Sequence, residues 1–155
     1  MPTSRPTDHE YLDPDEWQSM NALLLLNRRV LAELDRDLRQ GHGLSVTDFD
    51  VLITLHNAPE HRLRMSSLGE RVMLSPAGVT HLVTRLERDG RVRREVDPSD
   101  RRKWYTVLTS PGDDVLREAR RTHNAALRRG LLRVTTATER RTLRRLWARL
   151  NESSD

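Results

Sequence analysis

The chain has 155 residues and contains no cysteine. Without thiols there is no disulfide framework, no cysteine-based redox switch and no thiolate metal site. No apolar run approaches the length needed to span a bilayer, and the first residues lack the apolar segment of an export signal. We therefore expect a cytoplasmic protein that does not enter a membrane.

Aromatic residues make up only 4% of the chain, whereas charged residues make up 32%. A single copy then has limited apolar surface from which to build a core, so the composition favours an oligomer. No Gly-rich phosphate loop and no closely spaced Asp, His and Ser set occurs, so we expect no catalytic residues and no enzymatic activity. The histidines, at positions 9, 42, 56, 61, 81 and 123, include no pair at helical ligand spacing, so we expect neither a metal site nor another cofactor.

Charge is distributed unevenly along the chain, whose net charge is +4. Residues 1–50 carry five Arg and ten acidic residues, whereas residues 117–149 carry eleven Arg and two Glu. The basic segment could bind nucleic acid, or the acidic and basic ends could pack together as complementary helices. The second interpretation is the more ordinary one, and charge alone favours it.

Helical periodicity dominates both ends of the chain. From Asp13, apolar residues recur at steps of three and four through Leu38, and Gly41 and Gly43 supply a C-terminal cap. A long fifth helix is predicted with Asp113 and Asp114 in its first turn, and a capping box formed by Thr136 and Glu139 begins a final helix. Their apolar stripes have few partners within one chain, so we expect them to form a dimer interface. Its residues would include Trp17, Leu143, Leu146, Trp147 and Leu150.

Two short helices are predicted in the middle of the chain. The first has Thr47 as its expected N-cap and stops before Pro59. The second follows from Ser67 and Glu70, which have the spacing of a capping box.

The fourth helix has well-defined ends, because Ser75 can cap it, Pro76 suits its first position and Gly90 can close it. Its inward face is apolar, and its outward face is small, hydrogen-bonding or cationic, with no carboxylate before Glu87. Such a face suits the DNA major groove, although a solvated helix is the ordinary alternative. The predicted DNA-binding residues are Ser75, Ala77, Gly78, Thr80, His81, Thr84 and Arg85. Together with the preceding short helix, this arrangement indicates a helix-turn-helix.

Two β-prone runs, residues 91–96 and 104–109, predict a hairpin after that helix. Its expected loop, Asp97 to Arg102, carries two arginines, as does a wing that enters a minor groove. A solvated turn is the alternative, and the preceding helices favour the wing. The fold class is therefore mainly α with a small β-hairpin wing: a winged helix-turn-helix at 45–110, and an all-helical dimerisation region at 13–40 and 111–151.

Residues 45–112 resemble the MarR family of winged-helix regulators, both in the order of elements and in the motif Asp-Arg-Arg followed by Leu-Thr and Gly. The resemblance implies a homodimer in which the wing's Arg101 enters the minor groove, braced by Asp100, while Arg102 contacts phosphate. His81 stands where family members often have Arg, so its DNA contact should be weaker and vary with pH. Arg91 stands where an apolar residue is usual, which puts the packing of the first wing strand in question.

These features predict a sequence-specific DNA-binding regulator, a repressor acting as a homodimer on a pseudo-palindromic operator in double-stranded DNA. By resemblance, a small aromatic or phenolic effector would release it, with Met20, Leu24 and His56 lining the effector pocket. The alternative is an architectural protein that binds DNA without sequence preference, or a helical protein that binds another protein.

Overall fold

The computed structural model describes residues 11–152 as six helices and a three-stranded antiparallel sheet. The helices are α1 (Pro14–His42), α2 (Val46–His56), α3 (Met65–Arg71), α4 (Pro76–Arg88), α5 (Ser110–Leu127) and α6 (Ala137–Glu152). The strands are β1 (Arg62–Arg64), β2 (Val92–Asp97) and β3 (Asp100–Leu108), in the spatial order β1-β3-β2. The expected fold class, mainly α with a small hairpin, is confirmed.

Helix α1 is capped at both ends. The Asp13 carboxylate accepts hydrogen bonds from the amides of Asp15 and Glu16, and the Glu16 carboxylate accepts from the Asp13 amide at 2.9 Å. Gly43 ends the helix in the left-handed conformation, with φ 61°, which glycine adopts without steric cost. Only Leu34 and Leu38 of this helix are buried, so its N-terminal half is largely exposed against the rest of residues 11–152.

The predicted starts of α2 and α3 were wrong. Ser45 rather than Thr47 caps α2, because its hydroxyl accepts from the Asp48 amide while the Asp48 carboxylate accepts from the Ser45 amide. Helix α3 begins at Met65 with no side-chain cap, so Ser67 lies inside the helix and forms no capping box with Glu70. Strand β1 ends at Arg64 and runs directly into α3, so the helix begins two residues before Ser67.

The predicted limits of α4 are confirmed. The Ser75 hydroxyl accepts from the Gly78 amide at 3.2 Å, Pro76 occupies the first turn, and Gly90 follows the helix with φ 71°. The turn before it passes through Met73, at φ 54°. The expected inward face is buried and consists of Val79, Leu82, Val83 and Leu86.

The sheet differs from the expected hairpin in two ways. Strand β1, which was too short to predict, pairs with β3 through Leu63 and Thr106. The loop is also shorter than predicted, because Asp97 pairs with Asp100 and only two residues turn the chain. The Asp97 carboxylate accepts from the Ser99 amide at 2.9 Å and from its hydroxyl at 2.6 Å, and these bonds close the turn. Arg101 and Arg102 therefore lie at the start of β3. We call β2, β3 and their turn the wing.

One apolar core joins the end of α1 to α2, α3, α4, the wing and the start of α5. Its fully buried leucines are Leu38, Leu44, Leu52, Leu55, Leu68, Leu86 and Leu116. These leucines lie on the five helices α1 to α5 and in the loop before α2, and the same core includes Val92 and Leu108 of the wing. Close packing around this shared core holds α4 and the wing at a fixed relative position. The core thus presents α4 and the wing as one rigid surface.

The C-terminal helices are less packed. A π-helical turn, Arg128–Leu132, follows α5, and the predicted capping box of Thr136 and Glu139 precedes α6. No residue of α6 is buried in the single chain. None of the helices between residues 11 and 152 combines the length and apolarity required to cross a bilayer.

Candidate nucleic-acid interface

The outward side of α4 presents the predicted DNA-binding residues at the surface. Ser75, Ala77, Thr80, His81 and Thr84 are exposed, and we call these five residues the reading face. Gly78 is half-buried beneath the Ser75 hydroxyl. Small side chains without carboxylates allow the helix backbone to approach base edges and phosphates closely.

The two threonines of the reading face already use their hydroxyl protons. The Thr80 hydroxyl donates to the Pro76 carbonyl at 2.9 Å, and the Thr84 hydroxyl donates to the Thr80 carbonyl at 2.8 Å. Each side chain still offers an oxygen acceptor and a methyl group, although the Thr84 oxygen already accepts from Arg94 Nη2 at 2.5 Å. Those groups complement the amino groups of cytosine and adenine and the methyl group of thymine.

Arg85 was predicted to contact DNA, but the structure directs its guanidinium inward. The Arg85 Nη2 atom pairs with the carboxylate of Asp48, which is only 3% exposed. The second Asp48 oxygen accepts from the Ser45 amide at 2.8 Å and hydroxyl at 2.7 Å. The pair joins the end of α4 to the start of α2, so Arg85 positions the reading face.

Replacing Arg85 with Ala should therefore destabilise the fold rather than remove a phosphate contact. The loss leaves the Asp48 carboxylate buried and unpaired, and we expect about 2 kcal/mol, less than for a fully buried pair because Arg85 is partly exposed. Thermal unfolding measures this loss, and Arg88→Ala, an exposed arginine one turn away, is the control. A wild-type melting temperature together with a shallower salt dependence of DNA affinity would instead make Arg85 a phosphate contact.

The wing arginines differ in their surroundings. The Arg101 side chain is exposed and has no hydrogen-bond or ion-pair partner within residues 11–152. Asp100 does not brace it, because that carboxylate accepts from the Arg102 amide at 3.1 Å and pairs with the side chains of Arg102 and Lys103, each at 3.3 Å. The bond from the Arg102 amide is the main cause that lowers the pKa of Asp100. Arg101 is thus a free cation beside the turn.

Charged groups join the turn end of the wing to β1. Asp97 is buried and lies 2.7 Å from Arg64 Nη2, and the Arg64 guanidinium lies over the Tyr105 ring at 5.8 Å. Hydrogen bonds from Ser99, together with Arg64, lower the pKa of Asp97. Asp97 therefore stays ionised and supports the wing from inside.

Sequence reasoning missed Arg94, which connects the wing to the reading face. Its Nη2 atom donates to the Thr84 hydroxyl at 2.5 Å, and its Nη1 atom lies 3.5 Å from Glu87. The Glu87 carboxylate also accepts from the Arg94 amide at 3.0 Å. The alternation of β2 could have indicated this contact, because Arg94 shares a strand face with Val92 and Val96.

Arg91 does not disturb the wing, contrary to the question raised by its sequence position. Strand β2 begins one residue later, at the buried Val92. The Arg91 guanidinium donates to the carbonyls of His42 and Gly43, both at 3.3 Å. A cation at those carbonyls is favourable, because the C-terminal end of α1 carries partial negative charge. Arg91 thus joins the wing to the end of α1.

Met20, Leu24 and His56, the predicted effector-pocket residues, are not brought together within one chain. Met20 precedes His42 by 22 positions on α1, which is about 33 Å along a helix. His42 bonds Thr122 on α5, and His56 contacts Asp113 and Arg120 on the same helix. His56 Nδ1 lies 2.7 Å from the Asp113 carboxylate and lowers its pKa. A pocket containing all three residues would need α1 from a second copy.

The predicted dimer residues are exposed in the single chain. Trp17 and Trp147 are each 58% exposed, and Leu143, Leu146 and Leu150 are exposed on α6. Within residues 11–152, no three His, Asp or Glu side chains converge as a metal site would require.

The family model for the MarR family matches residues 44–104. Among curated proteins, the transcriptional regulator YkoM of Bacillus subtilis is 32% identical over 101 residues, which is 64% of each chain. The repressor YetL of the same organism is 39% identical over 72 residues, 46% of this chain and 43% of YetL. The aligned part thus spans less than two thirds of either relative.

Solved structures match over nearly the whole chain. The MarR-family regulator AbsC of Streptomyces coelicolor is 30% identical, with a TM-score of 0.86 over 93% of this chain and 97% of AbsC. Sco3205, a MarR-family regulator of Streptomyces coelicolor crystallised in complex with DNA, is 28% identical, with a TM-score of 0.88 over 93% and 91% of the two chains. The likeness therefore includes the helices on both sides of the segment that the family model matches.

Proposed function

This chain belongs to the MarR family and is a DNA-binding transcriptional regulator, and on that premise we propose that it acts as a homodimer on a pseudo-palindromic operator. Each copy would lay the reading face of α4 in the major groove and direct Arg101 and Arg102 into or beside the adjacent minor groove. The observation that carries this proposal is the surface that α4 and the wing form together. It has an exposed face without carboxylates next to an unpaired arginine.

The homodimer is supported by apolar surface that one chain leaves uncovered. Exposed large apolar residues cluster on the N-terminal half of α1 and along α6, and patches of this kind mark interaction surfaces. They include Trp17, Met20, Leu23, Leu24, Leu143, Leu146, Trp147 and Leu150. We propose that residues 13–40 and 111–151 of two copies form the dimerisation region, and that 45–110 is the DNA-binding region.

Two copies also meet a requirement of recognition. One reading helix contacts only a few base pairs, and each mismatch costs about 1–3 kcal/mol, so useful discrimination needs two half-sites at a fixed spacing. Half-site centres should lie roughly one helical turn of DNA apart. The operator should therefore have approximate two-fold symmetry.

Selection of bound fragments from a random duplex pool tests the proposal. We expect a palindromic site, and titration at several salt concentrations should give an affinity at least ~1,000-fold above that for a scrambled duplex. Equal affinity for both duplexes at moderate salt would contradict sequence-specific regulation and favour an architectural protein.

Arg101→Ala distinguishes sequence-specific binding through the wing from non-specific binding through the basic C-terminal helices. Loss of a minor-groove contact should weaken operator binding by roughly tenfold or more and leave the melting temperature unchanged, because Arg101 has no partner within the described residues. Arg121→Ala, which removes an exposed arginine from α5, should leave the affinity unchanged. An architectural protein that binds through its basic C-terminal helices would give the opposite pair of results, and both variants are measured by titration.

We propose further that the protein is a repressor, that a small aromatic or phenolic effector releases it, and that it catalyses no reaction. The support for release is geometric, because the dimer helices set the spacing of the two DNA-binding surfaces. A ligand that prefers a different spacing lowers DNA affinity in proportion to that preference. Competition titrations with aromatic carboxylates and phenols test release, and an unchanged operator affinity at saturating ligand would contradict it.

A further inference from the structure

A groove lies between the reading face and the wing. Its lining consists of Met65 at the start of α3, Thr80 and Glu87 on α4, and Arg94 and Trp104 on the wing. Trp104 is 45% exposed although it is one of the largest apolar side chains in the protein. Neither the reading face nor the wing arginines account for an exposed indole in this position.

A second depression shares Met65 and Trp104 with this groove and lies between β3 and the junction of β1 with α3. It is lined by Arg64, Met65, Ser66, Arg102, Lys103 and Trp104. We call the two connected depressions the wing groove. The wing groove therefore has an apolar floor, formed by Met65 and Trp104, and four cationic side chains along its length.

The carboxylates beside the wing groove do not cancel its positive charge. Glu87 is paired with Arg94, and Asp100 is shared between Arg102 and Lys103. Asp97 pairs with Arg64 from inside the sheet. Four cations thus face three carboxylates, and the Arg102 side chain remains 91% exposed. A polyanion with apolar patches fits such a surface.

The position of the wing groove identifies that polyanion. In duplex DNA a major groove and the adjacent minor groove are separated by one sugar–phosphate strand. A helix bound in the major groove and a wing bound in the adjacent minor groove therefore lie on either side of that strand. The wing groove lies between α4 and the wing, so the strand would run along it if both elements bind as proposed above. Its phosphates match the cations, and its deoxyribose rings match the apolar floor.

We propose that the wing groove holds the sugar–phosphate strand that separates the two grooves, with the Trp104 indole packed against a deoxyribose. The indole N–H is a hydrogen-bond donor and would serve a neighbouring phosphate oxygen. Arg94 is held in place by Thr84 and Glu87, so its remaining N–H groups meet a phosphate at little entropic cost. This proposal rests on the function proposed above and adds a contact that fixes the register of the wing.

Contacts to the strand carry no sequence information directly, which gives the first test. Trp104→Ala should weaken binding to the operator and to a scrambled duplex by a similar factor, about tenfold, so that their affinity ratio stays nearly constant. Trp104→Phe keeps an aromatic ring but loses the N–H donor and should have an intermediate effect. The melting temperature of Trp104→Ala should be close to that of the wild type, because the side chain is half-exposed.

Two neighbouring arginines on opposite faces of β2 give a matched pair. Arg94→Ala should reduce the slope of log affinity against log salt by about one, whereas Arg93→Ala, on the outer face, should leave it unchanged. Ethylation of single phosphates should interfere with wild-type binding between the major-groove and minor-groove contacts of each half-site. In Trp104→Ala that interference should decrease.

The outcomes distinguish failure of the wing-groove contact from failure of the proposed sequence-specific DNA binding. If the wild type does not discriminate between operator and scrambled duplex, the proposed function fails. If the wild type discriminates and Trp104→Ala binds both duplexes with wild-type affinity, the wing groove does not hold the strand. A Trp104→Ala variant that binds DNA normally but no longer responds to an aromatic effector would also overturn the proposal, because the wing groove would then be a ligand site.

Discussion

Leu146→Asp is expected to convert the protein to a monomer or to unfold it, and to lower operator affinity by roughly 100-fold or more. Leu146 lies on the apolar side of α6, no residue of which is buried within the chain. If that side packs against a second copy, the new carboxylate loses its hydration without gaining a partner. Affinity falls further because two linked DNA-binding surfaces gain about 10²–10⁴ over a single one.

Ala148→Asp is the matched control, because it adds the same charge to the opposite side of α6. We expect it to remain a dimer with wild-type affinity. Light scattering gives the oligomeric state, and titration with the operator gives the affinity. A stable dimer carrying Leu146→Asp would place the interface elsewhere and contradict the role assigned to α6.

Gly112→Ala should produce the second large effect, a loss of about 3 kcal/mol or more in the free energy of unfolding. A Cβ atom at this position would lie 2.0 Å from the Arg91 carbonyl oxygen and 2.9 Å from its carbonyl carbon. Both atoms belong to the backbone, so no side-chain rotation relieves the clash. Relief would need separation of the wing from α5.

Separation of the wing from α5 should also weaken DNA binding. Thr109, the N-cap of α5, is bonded to the same segment, since its amide donates to the Arg91 carbonyl at 3.2 Å and its hydroxyl donates to the Gly90 carbonyl at 2.7 Å. We expect Gly112→Ala to lower the melting temperature by roughly 10 °C and to weaken operator binding. Ser110→Ala, at an exposed position of the same turn, should change neither quantity. A melting temperature unchanged in Gly112→Ala would mean that the close approach is absent in solution.

Local signals predicted α4 well because they act over a few residues. The cap at Ser75, the proline after it and the glycine at position 90 restrict the backbone directly, and the spacing of Val79, Leu82, Val83 and Leu86 fixes the inward side. Where two local signals compete, the sequence is ambiguous. Both Ser45 and Thr47 can cap a helix, and the bonds that Asp48 makes to Ser45 decide between them.

The amino-acid sequence by itself determined the helix-turn-helix, the presence of a wing and the amphipathic helices on either side, because capping and periodicity are short-range properties of the chain. Only the tertiary structure decided the partners of the arginines. Arg85 reaches a carboxylate 37 positions away, Arg91 a carbonyl 49 positions away, and Arg94 a hydroxyl 10 positions away. A guanidinium on a long flexible stem can turn toward protein or DNA with equal ease, so its role depends on which groups the packed core places within its reach.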